Sequence, residues 1–183
     1  MREQKNLTPE DILGERIGRI QRRREWWNFL VECAAIVAIL YVLFQYVIGI
    51  AFVSGTSMEP YLQDGELVVF YRLDKEYQRD DVVIIHRSGN VEYIKRIVGC
   101  AGDELALTEE GALLRNGEKE EASCWTGRTE ALPGQVVYPY TVPERSYFVL
   151  GDNRENSRDS REFGAVRNEE ITGRVIAHLG FTK

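Results

Sequence analysis

Ser57 and Lys95 are the two residues whose types and settings could do chemistry together. Ser57 lies in Val53-Ser54-Gly55-Thr56-Ser57-Met58-Glu59-Pro60-Tyr61-Leu62, between small residues and a Met-Glu-Pro turn. A tight bend of this kind exposes a hydroxyl and leaves backbone N–H groups free to point the same way. A serine attacks only when a base takes its proton. Lys95 could be that base. In the run Val91 to Gly99, strand alternation puts Val91, Tyr93, Lys95 and Ile97 on one face and Glu92, Ile94, Arg96 and Val98 on the other. An unpaired ammonium among apolar side chains is costly, and loss of its proton removes the cost. Burial lowers a lysine pKa from about 10.4 by several units, which makes the amine a base near neutral pH. Read from the strand alone, a lysine snorkelling from a sheet edge is the better reading.

A third stretch bears on that choice. Gly151-Asp152-Asn153-Arg154-Glu155-Asn156-Ser157-Arg158-Asp159-Ser160-Arg161-Glu162-Phe163-Gly164 threads acids and arginines through turn-forming Asn and Ser. It follows a strand-like run and so reads as a structured loop. Either its ion pairs are buried and fix a site, or it is a polar turn with surface charges.

These residues need elements to hold them. Thr8-Pro9-Glu10-Asp11 is a helix start, with Thr8 as the cap and Pro9 in the first helical position. Ile12, Leu13, Ile17 and Ile20 follow at helical spacing, with Arg16, Arg19 and Arg22 to Arg24 on the rest of the surface. That pattern suits either a membrane-surface helix or a lead-in to the next segment. Cys33 to Val53 is uncharged with one amide, Gln45, and a helix of this length covers a hydrocarbon core of ~30 Å. Trp26 and Trp27 stand where aromatic rings favour the interface. Arg22, Arg23 and Arg24 precede the span, and the positive-inside bias then puts the N-terminus in the cytoplasm and the rest of the chain outside. The expected organisation is a cytoplasmic segment over 1–28, an uncleaved anchor over 29–53, and an extracytoplasmic domain over 54–183.

Beyond the anchor the period is that of strands. Glu66 to Leu73, Asp81 to Arg87, Val91 to Gly99, Ser146 to Leu150 and Ile171 to Leu179 are β-branched and aromatic runs. Ser88-Gly89-Asn90 marks a hairpin turn. Leu105 to Thr108 and Ala112 to Arg115 flank Glu109-Glu110-Gly111 as a second hairpin. Residues 116–145 have no clear period and read as an insertion. The expected fold is mainly β: one N-terminal transmembrane helix, then an antiparallel coiled β-sheet or barrel-like domain.

Composition excludes several functions. Residues 1–28 carry seven Lys/Arg and five Asp/Glu; residues 33–183 carry 16 and 23. An acidic globular part without a basic stripe is a poor nucleic-acid partner. Three cysteines without a CxxC pair, and two distant histidines, His86 and His178, leave no zinc spacing and no expected metal or other cofactor. Cys33 falls in the span; Cys100 and Cys124 both follow it, where a disulfide is permitted.

Together, Ser54-Gly55-Thr56-Ser57-Met58-Glu59-Pro60, Tyr93-Ile94-Lys95-Arg96-Ile97-Val98-Gly99, Gly102-Asp103 and the Gly151 to Arg161 loop resemble the motif set of bacterial type I signal peptidases, in that family's order and behind one anchor. The resemblance implies a membrane-bound serine endopeptidase that removes N-terminal signal peptides from secreted preproteins after Ala-x-Ala-type sites. Ser57 would be the nucleophile and Lys95 the general base. Ser157 would orient the lysine amine, while Asp152 with Arg96, and Asp159 with Arg161, would form supporting ion pairs. The Ser57 N–H would be one oxyanion donor, with a backbone contribution at Gly55, where some members have serine. Val53, Gly55, Met58, Leu62, Tyr93 and Ile94 would line shallow pockets for small side chains. The partners implied are preproteins and membrane lipid, with Phe52 and Tyr61 reaching the interface. The sequence departs from the family at Tyr61, often Thr, and Ala101, often Pro. A self-cleaving Ser-Lys peptidase, or a non-enzymatic anchored β domain for binding, are the other readings. The first should carry a DNA-binding domain, and the second would need neither the lysine nor the polar loop.

Overall fold

The computed structural model describes residues 9–87, 89, 91–121, 124–134 and 136–180. The expected cap at Thr8, the apolar side chains Ile12, Leu13, Ile17 and Ile20, and Ser88 and Asn90 of the hairpin turn lie outside what is described. Two compact units divide between Gln45 and Tyr46.

The first unit is dominated by helix α1, Pro9–Val42, which runs on into a π-helical turn, Leu43–Val47. From Gln21 to Val47 the helical segment is long and apolar enough to cross a membrane. Its large side chains, among them Ile36, Val37, Ile39 and Leu40, are exposed, as they would not be in the core of a soluble domain.

The second unit is built on two antiparallel sheets. Helix was expected as far as Val53, but Ile48–Phe52 is a strand, β1, paired with β2, Leu67–Tyr71. Ile-Gly-Ile-Ala-Phe is as apolar as a membrane span, so hydropathy could not separate the two. Gly49 permits the pairing, because a Cβ there would stand 2.1 Å from the Phe70 ring. Then come β3 (Val82–Arg87), β4 (Val91–Gly99), β5 (Glu104–Leu107), β6 (Leu113–Arg115), β7 (Glu118–Lys119), β8 (Tyr140–Thr141), β9 (Ser146–Leu150), the single turn α2 (Ser160–Phe163), β10 (Val166–Arg167) and β11 (Ile171–Leu179).

The larger sheet has the order β1-β2-β11-β3-β4-β9-β10, so the last strand of the chain sits between β2 and β3. The smaller sheet is β7-β6-β5-β8, and the expected hairpin over 105–115 is its centre. The span 116–145, read as an insertion without period, thus supplies two short strands of that sheet. Three buried clusters fill the unit, around Phe70 and Ile84, around Ile97 and Val149, and around Leu105 and Phe148. Each such side chain contributes about 1.5–3 kcal/mol by burial.

β4 contacts all three clusters, with Ile94 in the first, Tyr93 and Ile97 in the second and Val98 in the third. Buried from Lys95 to Gly99, the strand is a rigid mount for Lys95.

Candidate active site

Ser57 stands on a turn whose base is tied to β2: Val53 N–H donates to Glu66 O (2.8 Å) and Gly65 N–H to Val53 O (2.9 Å). Met58 and Leu62 are buried beneath it, and Leu62 N–H donates to Met58 O (2.9 Å), so apolar packing sets the bend and leaves Ser57 at its crest. Gly55 adopts φ +89°, a conformation that favours glycine.

Lys95 is 2% exposed, and its Nζ lies 2.7 Å from Ser57 Oγ and donates to Ile94 O at 2.8 Å. Burial pulls its pKa from 10.5 down to about 8, while the carboxylates of Asp159 and Asp152 push the other way. Each of those carboxylates is matched by an arginine. Arg96 Nε and Nη2 donate to Asp152 Oδ1 and Oδ2 at 2.8 and 2.7 Å. Arg161 Nε and Nη2 donate to Asp159 Oδ1 and Oδ2 at 2.9 Å each. Both expected pairs are present and buried. Asp159 also accepts from Gly151 N–H (3.1 Å) and caps α2 through Arg161 N–H (3.2 Å), so one carboxylate closes the loop on itself.

Ser157 is at the site but not in the expected bond. Among the described residues its buried Oγ has no hydrogen-bond partner, because Lys95 Nζ is directed to Ser57 and Ile94. A Cβ on Gly151 would stand 2.2 Å from Ser157 Oγ and 2.5 Å from Ser57 O, so only glycine fits between them.

Gly55 differs from expectation too: its N–H donates to Asp64 Oδ1 at 2.7 Å and is thereby committed. For the Ser57 N–H no hydrogen bond is formed among the described residues.

Beside the dyad lies a small cleft, partly open to solvent. Val53, Met58, Tyr93 and Ile94 line it with Ala51, Phe52, Ile84 and Glu92. Leu62 is fully buried in the core below the cleft, and Gly55 is not in the lining. Cys100 and Cys124 are not joined by a disulfide. His178 contacts Glu66 (3.3 Å) and the Tyr61 ring, and Tyr61 in turn stacks under the Arg96 guanidinium at 4.7 Å. His86 is exposed.

Several positioning residues escaped the sequence reading. Asn153 N–H donates to Ser57 O (3.1 Å), Asn153 Nδ2 to Thr56 O (3.2 Å) and Asn156 Nδ2 to Thr56 Oγ1 (2.8 Å), which clamps the serine turn from the polar loop. Thr126 N–H donates to Asp152 O (2.8 Å), and Arg154 N–H to Thr126 O (3.0 Å). The Arg154 guanidinium is buried against Trp125 and donates to Glu120 and Thr129. The stretch without period therefore backs the loop. An arginine in a motif already rich in ion pairs was the available signal.

A serine hydroxyl against a buried amine, on an antiparallel β scaffold, is the equipment of a serine hydrolase. Comparison with known proteins narrows this. The family model for signal peptidase, peptidase S26, matches residues 24–179. Signal peptidase IB of Staphylococcus aureus (strain Mu50) is 28% identical over 170 residues, covering 84% of this chain and 88% of its own length. Signal peptidase I of Bacillus caldolyticus is 33% identical over 168 residues, covering 85% and 89%. A crystal structure of a signal peptidase I from Enterococcus faecalis V583 superposes with a TM-score of 0.44 at 28% identity, over 54% of this chain and 96% of that one. The chain belongs to the signal peptidase family, peptidase S26, and is a serine peptidase.

Proposed function

We propose that this protein is a membrane-anchored endopeptidase that removes N-terminal signal peptides from preproteins after Ala-x-Ala-type sites, with Ser57 as nucleophile and Lys95 as general base. The observation that carries the reading is the 2.7 Å approach of a buried lysine amine to the Ser57 hydroxyl. Neutral Lys95 takes the Ser57 proton as Oγ attacks the scissile carbonyl. The Ser57 N–H donates to the developing oxyanion. Protonated Lys95 returns its proton to the leaving amine, and an acyl-enzyme remains on Ser57. Lys95 then deprotonates a water, which frees the new carboxylate. A positioned base of this kind is worth roughly 10²–10⁴-fold.

Arg96 with Asp152 and Arg161 with Asp159 hold the loop that backs the lysine. In this reading Ser157, buried beside Gly151, is poised to meet the amine once Ser57 is acylated. The walls given by Val53, Met58, Tyr93 and Ile94 admit small side chains and exclude large ones sterically. Two open strand edges support a substrate lying extended in the cleft. β1 is the end strand of its sheet, and β4 pairs with β9 only from Arg96 onward.

Residues 1–28 are the proposed cytoplasmic segment, the apolar helical segment ending before β1 is the anchor, and the catalytic unit lies outside the cell. The arginines Arg22 to Arg24 support that orientation. Substrates arrive tethered in the same bilayer, so confinement compensates for shallow pockets.

The test is cleavage, in vesicles, of a preprotein whose signal ends in Ala-x-Ala. Wild type should cut after the second Ala, while Ser57→Ala and Lys95→Ala, folded by circular dichroism, should each lose at least about 10³-fold in rate. Inert but folded wild type on several such substrates would reject the function. Loss in the serine variant alone would reject Lys95 as the base.

A further inference from the structure

Two charged side chains line the cleft beside Ser57, Lys95 and Glu92. Glu92 is exposed and forms no ion pair among the described residues, whereas Arg158, near Tyr93 on the neighbouring loop, is paired with Glu162 at 2.9 Å. Glu92 shares a strand face with Ile94, and the cross-strand partners of the two are His86 and Ile84. The β4 edge over Val91 to Lys95 has β3 on one side, while β9 takes up the other side from Arg96 onward. A substrate cut at Ser57 can therefore run its acyl side along β4 only from Lys95 toward Val91. Glu92 is three residues along that path, about 10 Å from Lys95. This distance corresponds to roughly the third to fifth residue before the scissile bond.

We infer that Glu92 gives the enzyme a charge preference on the acyl side of its substrates, favouring Lys or Arg and opposing Asp or Glu at the fourth or fifth residue before the cut, the third being the small residue of the Ala-x-Ala pattern. The inference rests on the peptidase reading above. A partly solvated carboxylate makes a modest but directional contribution: an exposed pair is worth about a two- to fivefold change in specificity, and it weakens with salt. Like charges at the same distance work in the opposite sense. The preference belongs to substrate selection and not to the bond-breaking step, so it appears in kcat/KM.

Peptides with Ala at the first and third positions before the bond, and Lys, Gln or Glu at the fourth or fifth, provide the test. At low ionic strength wild type should favour Lys over Glu about fivefold at one of these positions. The ratio should shrink toward one as salt rises to about 0.5 M. Glu92→Gln should bring the ratio near one, and Glu92→Lys should invert it. A wild-type ratio of one at every position, or a ratio that persists in Glu92→Gln, overturns the inference while leaving the peptidase reading intact. If the Gln peptides are not cut, or are cut equally by Ser57→Ala, the peptidase reading fails and this inference falls with it.

Discussion

Lys95 is 2% exposed, and its amine lies 2.7 Å from the Ser57 hydroxyl. A lysine among Val, Tyr and Ile on one strand face was legible as an anomaly, and burial turns the anomaly into a lowered pKa of about 8. Two outcomes follow. In the proposed mechanism only the neutral amine accepts the serine proton, so the rate at limiting substrate should fall about tenfold per pH unit below pH 8; a pH profile of kcat/KM checks this. Stability carries the same signature. Unfolded Lys95 titrates near 10.5 and the folded residue near 8, so between these values the unfolded chain binds more protons and stability rises with pH. Below pH 8 the folded enzyme bears the full penalty, on the order of 3 kcal/mol. Lys95→Met should therefore be more stable than wild type at pH 7, with the gap closing toward pH 10.5 in urea unfolding. A gap independent of pH would mean that the amine is not desolvated. Ser157 was not legible in the same way, since whether a hydroxyl meets the amine depends on packing around Gly151 to within an ångström.

At the scale of elements, β4, β9 and β11 have the bounds that their β-branched runs suggested, because turn residues frame them. β1 was hidden because an apolar strand and the end of an apolar span read alike. The clamp from Asn153 and Asn156 to Thr56 was hidden by distance, since its partners are about a hundred residues apart in sequence. Two substitutions probe these elements. Gly49→Ala would press a methyl into the Phe70 ring, itself buried beneath Arg72. It should cost about 1–3 kcal/mol in urea unfolding as β1 is pushed off β2. Asp152→Ala leaves the Arg96 guanidinium buried without its carboxylate and should cost about 3–5 kcal/mol. Replacing both partners, as Arg96→Met with Asp152→Leu, should recover part of that loss, measured by the same unfolding. If the double variant is less stable than the single one, the pair contributes more than its mutual satisfaction.

For the whole molecule, the division between Gln45 and Tyr46 makes a prediction about what the helical segment does. The β unit has its own cores, so a chain beginning at Tyr46 should unfold cooperatively in urea. It should also release most of the protein from sedimenting vesicles that retain the full chain. Loss of the fold on this truncation would show that the apolar segment is part of the core and not an anchor.

One feature of the sheet reaches back to how the molecule is made. β11 is the last strand in sequence and fills a central slot between β2 and β3. Until residues 171–179 have left the ribosome, β2 and β3 share an apolar cluster but have no common partner in the sheet. β2 and the Val53 turn tied to it carry the serine, while β3 and β4 carry the lysine. β11, translated after the elements that carry the serine and the lysine, thus joins them through the sheet, beside the clamp from Asn153 and Asn156. In the proposed peptidase, a nascent chain would therefore reach its full activity only once β11 has emerged and taken its place in the sheet.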